Sequence, residues 1–101
     1  MEKQRPHYPL APIRASVRER GAAVFTRTAL EGGAAMGFAV SELVEIVCGL
    51  SGDCFYKSMT TLYDHKLWQD VYIASTPAGE AYIKVTGFLD GRPPVIQFKR
   101  R

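Results

Sequence analysis

Side chains that can handle a phosphate group are concentrated in the middle of this chain. The segment 55–72 carries Lys57, His65 and Gln69 among tyrosines, threonines and a tryptophan. Cleavage of RNA without a metal uses the 2′-hydroxyl as the nucleophile, and it needs a base for that proton, a cation for the phosphorane charge and an acid for the leaving oxygen. Lysine, glutamine and tyrosine can share these tasks, and aromatic rings can stack on single-stranded bases. The composition permits this chemistry without selecting it.

A plainer interpretation of the same residues is a half-buried sheet with polar side chains on its solvent face, where lysine, glutamine and tyrosine are common. On this interpretation Met59 and Trp68 belong to the core. His7 lies in a polar N-terminal arm and is expected to be exposed. His65 sits in a turn beside Asp64, which either orients the imidazole or is simply a polar turn partner.

Other enzyme classes lack their motifs. The sequence has no GxSxG elbow, P-loop, GxGxxG or HExxH motif. Cys48 and Cys54 belong to no cluster with zinc-ligand spacing and are expected to be reduced thiols. The carboxylates and histidines do not cluster as a metal-dependent nuclease requires. We therefore expect neither a metal nor a cofactor.

Length and charge set the frame for this chemistry. The 101 residues suffice for one domain, spanning 1–101, with a single core. Residues 1–30 carry six Lys or Arg against two Glu, residues 31–55 carry four acids and no base, and residues 56–101 carry seven bases against four acids. A polyanion can bind the basic segments while the acidic middle faces away. The polar opening predicts neither a secretory signal nor a membrane span, so a cytoplasmic location is expected.

Apolar spacing predicts helices in the first half of the chain. An amphipathic helix is expected near residues 9–20, ending before Gly21. Residues 28–31 fit a capping box for a second helix, which Gly32 and Gly33 should make short or irregular. Ser41 is expected to cap a third helix. The apolar positions of that third helix are Leu43, Val44, Ile46, Val47 and Leu50.

Strand patterns fill the second half. Two strands are expected at 56–62 and 67–75, and a last one follows the Asp90-Gly91 hairpin signal. Between the strand at 67–75 and this last strand lies another, in which an apolar row alternates with a polar row that contains Tyr82 and Lys84. The apolar row consists of Ala81, Ile83, Val85 and Leu89. The predicted fold is α+β, with N-terminal helices packed on one face of a four-stranded antiparallel meander.

The motifs in this half closely resemble a known family. FYKSMTT begins at residue 55, DH at 64, WQDVY at 68 and GxxYxK at 79. In this order and spacing they resemble the MqsR (motility quorum-sensing regulator) toxins. Met1-Glu2-Lys3 near the start and Phe98-Lys99 near the end are also similar, whereas residues 32–45 and the last hairpin depart from the family pattern.

The resemblance implies a RelE-like fold and an mRNA interferase of a type II toxin–antitoxin system, cleaving mRNA at GC-containing triplets, with GCU typical. It assigns the catalytic positions to Lys57, Gln69 and Tyr82. We assign phosphate charge to the lysine, proton transfer to the tyrosine, and orientation of the phosphate or 2′-hydroxyl to the glutamine. Further RNA-binding candidates are Met59 for a base contact, His65 for phosphate or structure, and Lys84, Lys99 and Arg100 for phosphate.

The resemblance also implies partners. Besides mRNA, the family pairs with the MqsA antitoxin, which has a zinc-binding N-terminal domain and a helix-turn-helix domain, so operator DNA is reached only through the antitoxin. The competing class is a non-catalytic RNA-binding or antitoxin-binding regulatory module. The presence of Lys57, Gln69 and Tyr82 argues against that class. It also argues against a toxin that has lost its active site and only binds its antitoxin.

Overall fold

A computed structural model describes residues 1–88 and 90–101, and in these residues three α-helices cover one face of a five-stranded antiparallel sheet. The strands are β1 (Glu2–Lys3), β2 (Phe55–Thr60), β3 (Trp68–Thr76), β4 (Gly79–Thr86) and β5 (Val95–Arg100), and the helices are α1 (Leu10–Arg20), α2 (Arg27–Ala35) and α3 (Val40–Cys48). The sheet order follows the chain from β1 to β5. The predicted α+β class is confirmed.

The helices differ from prediction at their starts. α1 ends at Gly21 as expected, where a φ of 56° suits glycine. α2 is capped by Thr26, two residues before the predicted capping box, and the Thr26 hydroxyl accepts a 3.0 Å bond from the Ala29 amide. Glu31, expected to close the box, instead pairs with Arg27 at 3.3 Å.

α3 begins one residue before Ser41, so the prediction of a serine cap is wrong. The Glu42 carboxylate reaches back and accepts a 2.9 Å bond from the Ala39 amide, which satisfies one free donor at the helix start. The helix closes at Gly49 as expected. Leu43 and Val47 are buried, so the predicted apolar face is the one that meets the core.

α2 is short, as predicted, but it continues through both glycines to Ala35, and each glycine marks a close approach to a neighbour. A Cβ at Gly32 would lie 2.7 Å from the Phe98 carbonyl oxygen, and one at Gly33 would lie 2.7 Å from the Leu43 side chain. α2 therefore lies directly against β5 and α3 without side chains at these positions.

The sheet contains the predicted meander and one more strand. Residues 2 and 3, expected in a polar arm, form β1 and pair with Met59 and Ser58 of β2. On the face toward the helices, Ser58, Asp70, Val85 and Ile96 form one buried row across β2 to β5. Ala81, Ile83 and Val85 of the predicted apolar row are buried, whereas Leu89 lies outside the described residues.

Asp70 fixes the chain that follows β1. Its carboxylate accepts hydrogen bonds from the His7 amide at 2.9 Å and the Tyr8 amide at 2.8 Å. The Tyr8 hydroxyl donates to the Trp68 carbonyl at 2.7 Å, and the His7 ring stacks on the Trp68 ring with centroids 5.4 Å apart. These contacts attach the N-terminal segment to β3. No helix in the described part of the chain is long and apolar enough to cross a membrane.

Candidate active site

The sheet face turned away from the helices carries the predicted catalytic residues. Strand alternation puts Lys57 of β2, Gln69 of β3 and Tyr82 of β4 on this outer face. Lys57 lies opposite Val71, which lies opposite Lys84, so one row crosses the sheet between the glutamine and the tyrosine. An irregular register between Phe55 and Lys57 precedes the lysine, and bulges of this kind often re-aim side chains.

Lys57 is partly covered and ion-paired. Its ammonium donates a hydrogen bond to the Glu2 carboxylate of β1. That bond raises the pKa of Lys57 against the opposing effect of desolvation, and the Glu2 charge and the nearby Tyr56 and Tyr82 raise it further. Lys57 is therefore a cation at neutral pH, suited to stabilising phosphate charge.

Tyr82 is surrounded by cations and a second aromatic ring. The Lys99 ammonium lies 5.9 Å and the Arg101 guanidinium 5.7 Å from the centre of its ring, and the Tyr56 ring centre is 6.4 Å away. Contact with Tyr82, followed by the Glu80 carboxylate, raises the pKa of Arg101. The phenol thus stands where an anionic phosphate would be attracted.

Gln69 is held by its neighbour on β4. Its Nε2 donates a 3.3 Å hydrogen bond to the Thr86 hydroxyl, and it lies directly opposite Met59. The amide is half-buried, so its position is restricted while part of it stays open to a ligand. Met59, expected in the core, is instead half-buried on this outer face, because it shares the parity of Lys57.

Three adjoining depressions run over this face. A depression of about 230 Å³ lies over buried Val71 between Lys57 and Tyr82. A second, of about 530 Å³, extends past Gln69 to β1. A third, of about 140 Å³, reaches Thr28 of α2. Lys84 lines all three, so it stands where they adjoin, and the three together are called the groove below.

Comparison with known proteins places the chain. A family model described as "Motility quorum-sensing regulator, toxin of MqsA" matches residues 5–100. The chain is also 37% identical over 101 residues to the mRNA interferase toxin MqsR of Escherichia coli (strain K12), with all of both chains covered. The chain belongs to the MqsR toxin family. The resemblance carried by its motifs is confirmed, and the observed α+β fold is consistent with a RelE-like toxin.

Two of the predicted RNA-binding residues lie apart from the groove of this MqsR family member. His65 is exposed in the loop between β2 and β3. Arg100 has the opposite parity to Lys99, since it pairs with buried Ala81, and its guanidinium donates to the Ala78 carbonyl at 2.6 Å. Met59, Lys84 and Lys99 do line the groove.

His7 is also on the other side of the sheet. It stacks on Trp68, which packs against the helix-facing core as predicted. Its Nδ1 lies 2.7 Å from the Lys3 ammonium. Burial, followed by the Lys3 charge, lowers the pKa of His7, with a smaller opposing effect from Asp70.

Sequence reasoning missed two residues that contact the candidate catalytic side chains. Glu2 meets Lys57 only because β1 pairs with β2, 55 residues along the chain, and a two-residue strand leaves no periodic signal. Thr86 continues the polar row of Tyr82 and Lys84 in β4, but its hydrogen bond to Gln69 depends on the register between β3 and β4, which the sequence does not give. Among the described residues, no three His, Cys, Asp or Glu side chains converge as metal ligands do.

Proposed function

We propose that this protein is an mRNA interferase, the toxin endoribonuclease of a type II toxin–antitoxin system. It cuts single-stranded mRNA at GC-containing triplets such as GCU, with the RNA 2′-hydroxyl as the nucleophile, and so inhibits translation and growth. The supporting observation is that Lys57, Gln69 and Tyr82 share one open, cationic sheet face in a chain of the MqsR toxin family.

Each of the three side chains has a role that suits its surroundings. Lys57 stabilises the negative charge that builds on the phosphate, since its ammonium form persists at neutral pH. Tyr82 gives a proton to the leaving 5′-oxygen, and the cations near its ring hold the phosphate beside it. Gln69, restrained by Thr86, orients the phosphate or the 2′-hydroxyl.

The groove supplies RNA binding around this centre. Lys84 and Lys99 carry the charge for flanking phosphates, and Tyr56 and Met59 provide surfaces for unstacked bases. We further propose that the toxin acts in the cytoplasm on mRNA and is restrained by an MqsA-like antitoxin. A relative described as an mRNA interferase and a family described as the toxin of MqsA support these assignments.

The deciding experiment is cleavage of a synthetic RNA containing one GCU triplet by the purified protein in EDTA. A matched RNA carries a 2′-deoxynucleotide at the cleavage position. We expect only the first RNA to be cut, leaving a cyclic phosphate, because the 2′-hydroxyl is the nucleophile. If neither this RNA nor a library of all triplets is cut, the protein is a binding module rather than a nuclease. Cutting of the deoxy substrate would contradict the mechanism.

In the same assay, Lys57→Ala should lower kcat by about 10²–10³-fold, the usual effect of losing one stabiliser of transition-state charge. Tyr82→Phe should lower it by roughly 10²–10⁴-fold through loss of the acid. Arg20→Ala, on α1 and away from the groove, is the control and should cleave normally. Wild-type rates for folded Lys57→Ala and Tyr82→Phe would remove both from the chemistry.

A further inference from the structure

The cation proposed to bind the phosphate already has a carboxylate beside it. Glu2 lies opposite Met59 on the outer face, and its Oε1 accepts the hydrogen bond from the Lys57 ammonium. The Glu2 side chain is 54% exposed and Lys57 is 28% exposed, so the carboxylate lies on the open side of the pair. Any RNA phosphate that reaches Lys57 therefore arrives next to Glu2.

The proposed cleavage needs a base that is unprotonated at neutral pH and close to Lys57. Lysine and tyrosine side chains ordinarily titrate near pH 10, so they are protonated at neutral pH. His7 lies on the helix side of the sheet and His65 in the exposed loop. Among the residues that line the three depressions of the groove, Glu2 alone carries a carboxylate.

We propose that Glu2 is the general base of the cleavage, an assignment that rests on the proposed function. Its carboxylate removes the proton of the 2′-hydroxyl, and the 2′-oxygen forms a bond to phosphorus. The bond between phosphorus and the 5′-oxygen breaks, and the Tyr82 phenol gives its proton to that oxygen. The products are a 2′,3′-cyclic phosphate and a 5′-hydroxyl end. Water then carries the proton from Glu2 back to the Tyr82 phenolate, so both groups are restored.

The ion pair also adjusts the strength of this base. The hydrogen bond and charge of Lys57 hold the pKa of Glu2 below its ordinary value, so the carboxylate is ionised in the free enzyme. A phosphodiester bound at Lys57 draws the ammonium toward itself and places a negative charge near Glu2. Both changes raise the pKa of Glu2 in the complex. Substrate binding thus makes Glu2 a better proton acceptor when the 2′-hydroxyl arrives.

Other groups near the pair define what a pH profile will contain. The charged and titratable groups that face it are the Met1 amino group, Lys84, Lys99, Tyr56, Tyr63 and Tyr82. None of these groups is a carboxylic acid or an imidazole. The acid limb of the cleavage profile is therefore the part that reports Glu2.

The test measures kcat and kcat/KM against pH for the chain without an N-terminal extension. Wild type should show an acid limb in both, and the limb in kcat should lie at higher pH because the bound phosphate raises the pKa of Glu2. Glu2→Gln should lower kcat by roughly 10²–10⁴-fold and lose the limb. Glu2→Gln should bind the uncleavable 2′-deoxy RNA at least as tightly as wild type does. Glu2→Asp should keep the limb and part of the rate.

Glu45→Gln is the matched control, since Glu45 is an exposed glutamate on the helix side of the sheet, paired with Arg18 at 2.9 Å. It should retain the wild-type rate and profile. A Glu2→Gln variant that keeps both the rate and the limb overturns the assignment. Faster cleavage by Glu2→Gln also overturns it, because Glu2 would then only mask Lys57. Absence of any cleavage by the wild type contradicts the proposed function itself, and this assignment with it.

Discussion

Tyr72 is the largest fully buried side chain among the described residues, and its hydroxyl has no hydrogen-bond partner there. The ring packs edge-on against Phe55, with centroids 5.6 Å apart. Burial, followed by the charge of nearby Asp70, raises the pKa of Tyr72 to about 12. The Tyr72 hydroxyl is therefore a buried polar group without a partner, and its ionisation opposes folding.

Replacing Tyr72 by phenylalanine should raise the free energy of unfolding by about 1 kcal/mol at pH 7, because an unpaired buried hydroxyl is removed. Above pH 10 the unfolded wild type loses the tyrosine proton while the folded state keeps it up to about pH 12. Wild-type stability therefore falls as pH rises through this window, by about 1.4 kcal/mol per pH unit from this group. Urea denaturation at pH 7 and near pH 11 should show the gap widening.

Tyr63→Phe gives the control for Tyr72, since the Tyr63 side chain is fully exposed. Its difference from wild type should not change with pH. A constant gap between Tyr72→Phe and wild type from pH 7 to 11 would mean that the Tyr72 phenol ionises as easily in the folded protein as in the unfolded chain.

At the scale of elements, β1 depends on contacts distant in sequence. It has two residue pairs with β2, and the Thr60 amide donates to the Met1 carbonyl at 3.0 Å. The following segment is fastened by Asp70 through the amides of His7 and Tyr8. Because Glu2 belongs to β1, the anchor at Asp70 also keeps the carboxylate near Lys57.

Asp70→Asn should loosen this segment, since the amide group presents a donor to backbone N–H groups that need an acceptor. We expect a loss of about 2 kcal/mol in unfolding free energy, as for other hydrogen bonds to a charged group. Hydrogen exchange should quicken at the amides of residues 2–8. Asp53→Asn, at an exposed position, is the control. Unchanged exchange in Asp70→Asn would mean that β1 is held by its strand pairing alone.

The same elements separate what the sequence predicts from what it leaves open. Helical spacing locates α1, and alternation locates β4, because both patterns are local. The start of α2 was misplaced because Thr26 and Thr28 are both good caps. The choice is made by tertiary contacts, since Phe25 bridges to Ile96 of β5 and the Thr26 amide donates to the Ile96 carbonyl at 3.1 Å.

The candidate site divides in a similar way. Motifs gave Lys57, Gln69 and Tyr82, and alternation placed Tyr82 with Lys84. The sequence does not indicate which face of β2 is open, because both rows of side chains in this strand are mixed in polarity. The prediction that Met59 belongs to the core is wrong for this reason. Glu2 depends on pairing between strands far apart in the chain, which no local pattern records.

At the scale of the whole molecule, the acidic helix α3 and the lysines of the groove lie on opposite sides of the sheet. The acidic middle of the chain forms α3 on the helix side, where Glu45 pairs with Arg18 at 2.9 Å. The opposite face carries the lysines of the groove, at positions 57, 84 and 99. In the proposed function, the RNA strand would therefore lie along the outer face, away from α3.

Replacing both Lys84 and Lys99 by glutamine should weaken RNA binding for every RNA sequence. The slope of log K against log salt should fall by about 1.4, or roughly 0.7 for each phosphate contact on a single strand. Adding Arg100→Gln should change the slope no further, because Arg100 bonds to the Ala78 carbonyl away from the groove. Arg18→Gln with Arg20→Gln, on α1, removes equal charge from the helix side. If this control lowers the slope as much as the lysine pair does, RNA responds to net charge and not to the outer face. Fluorescence anisotropy with 2′-deoxy-substituted RNA at several salt concentrations measures all four proteins without cleavage.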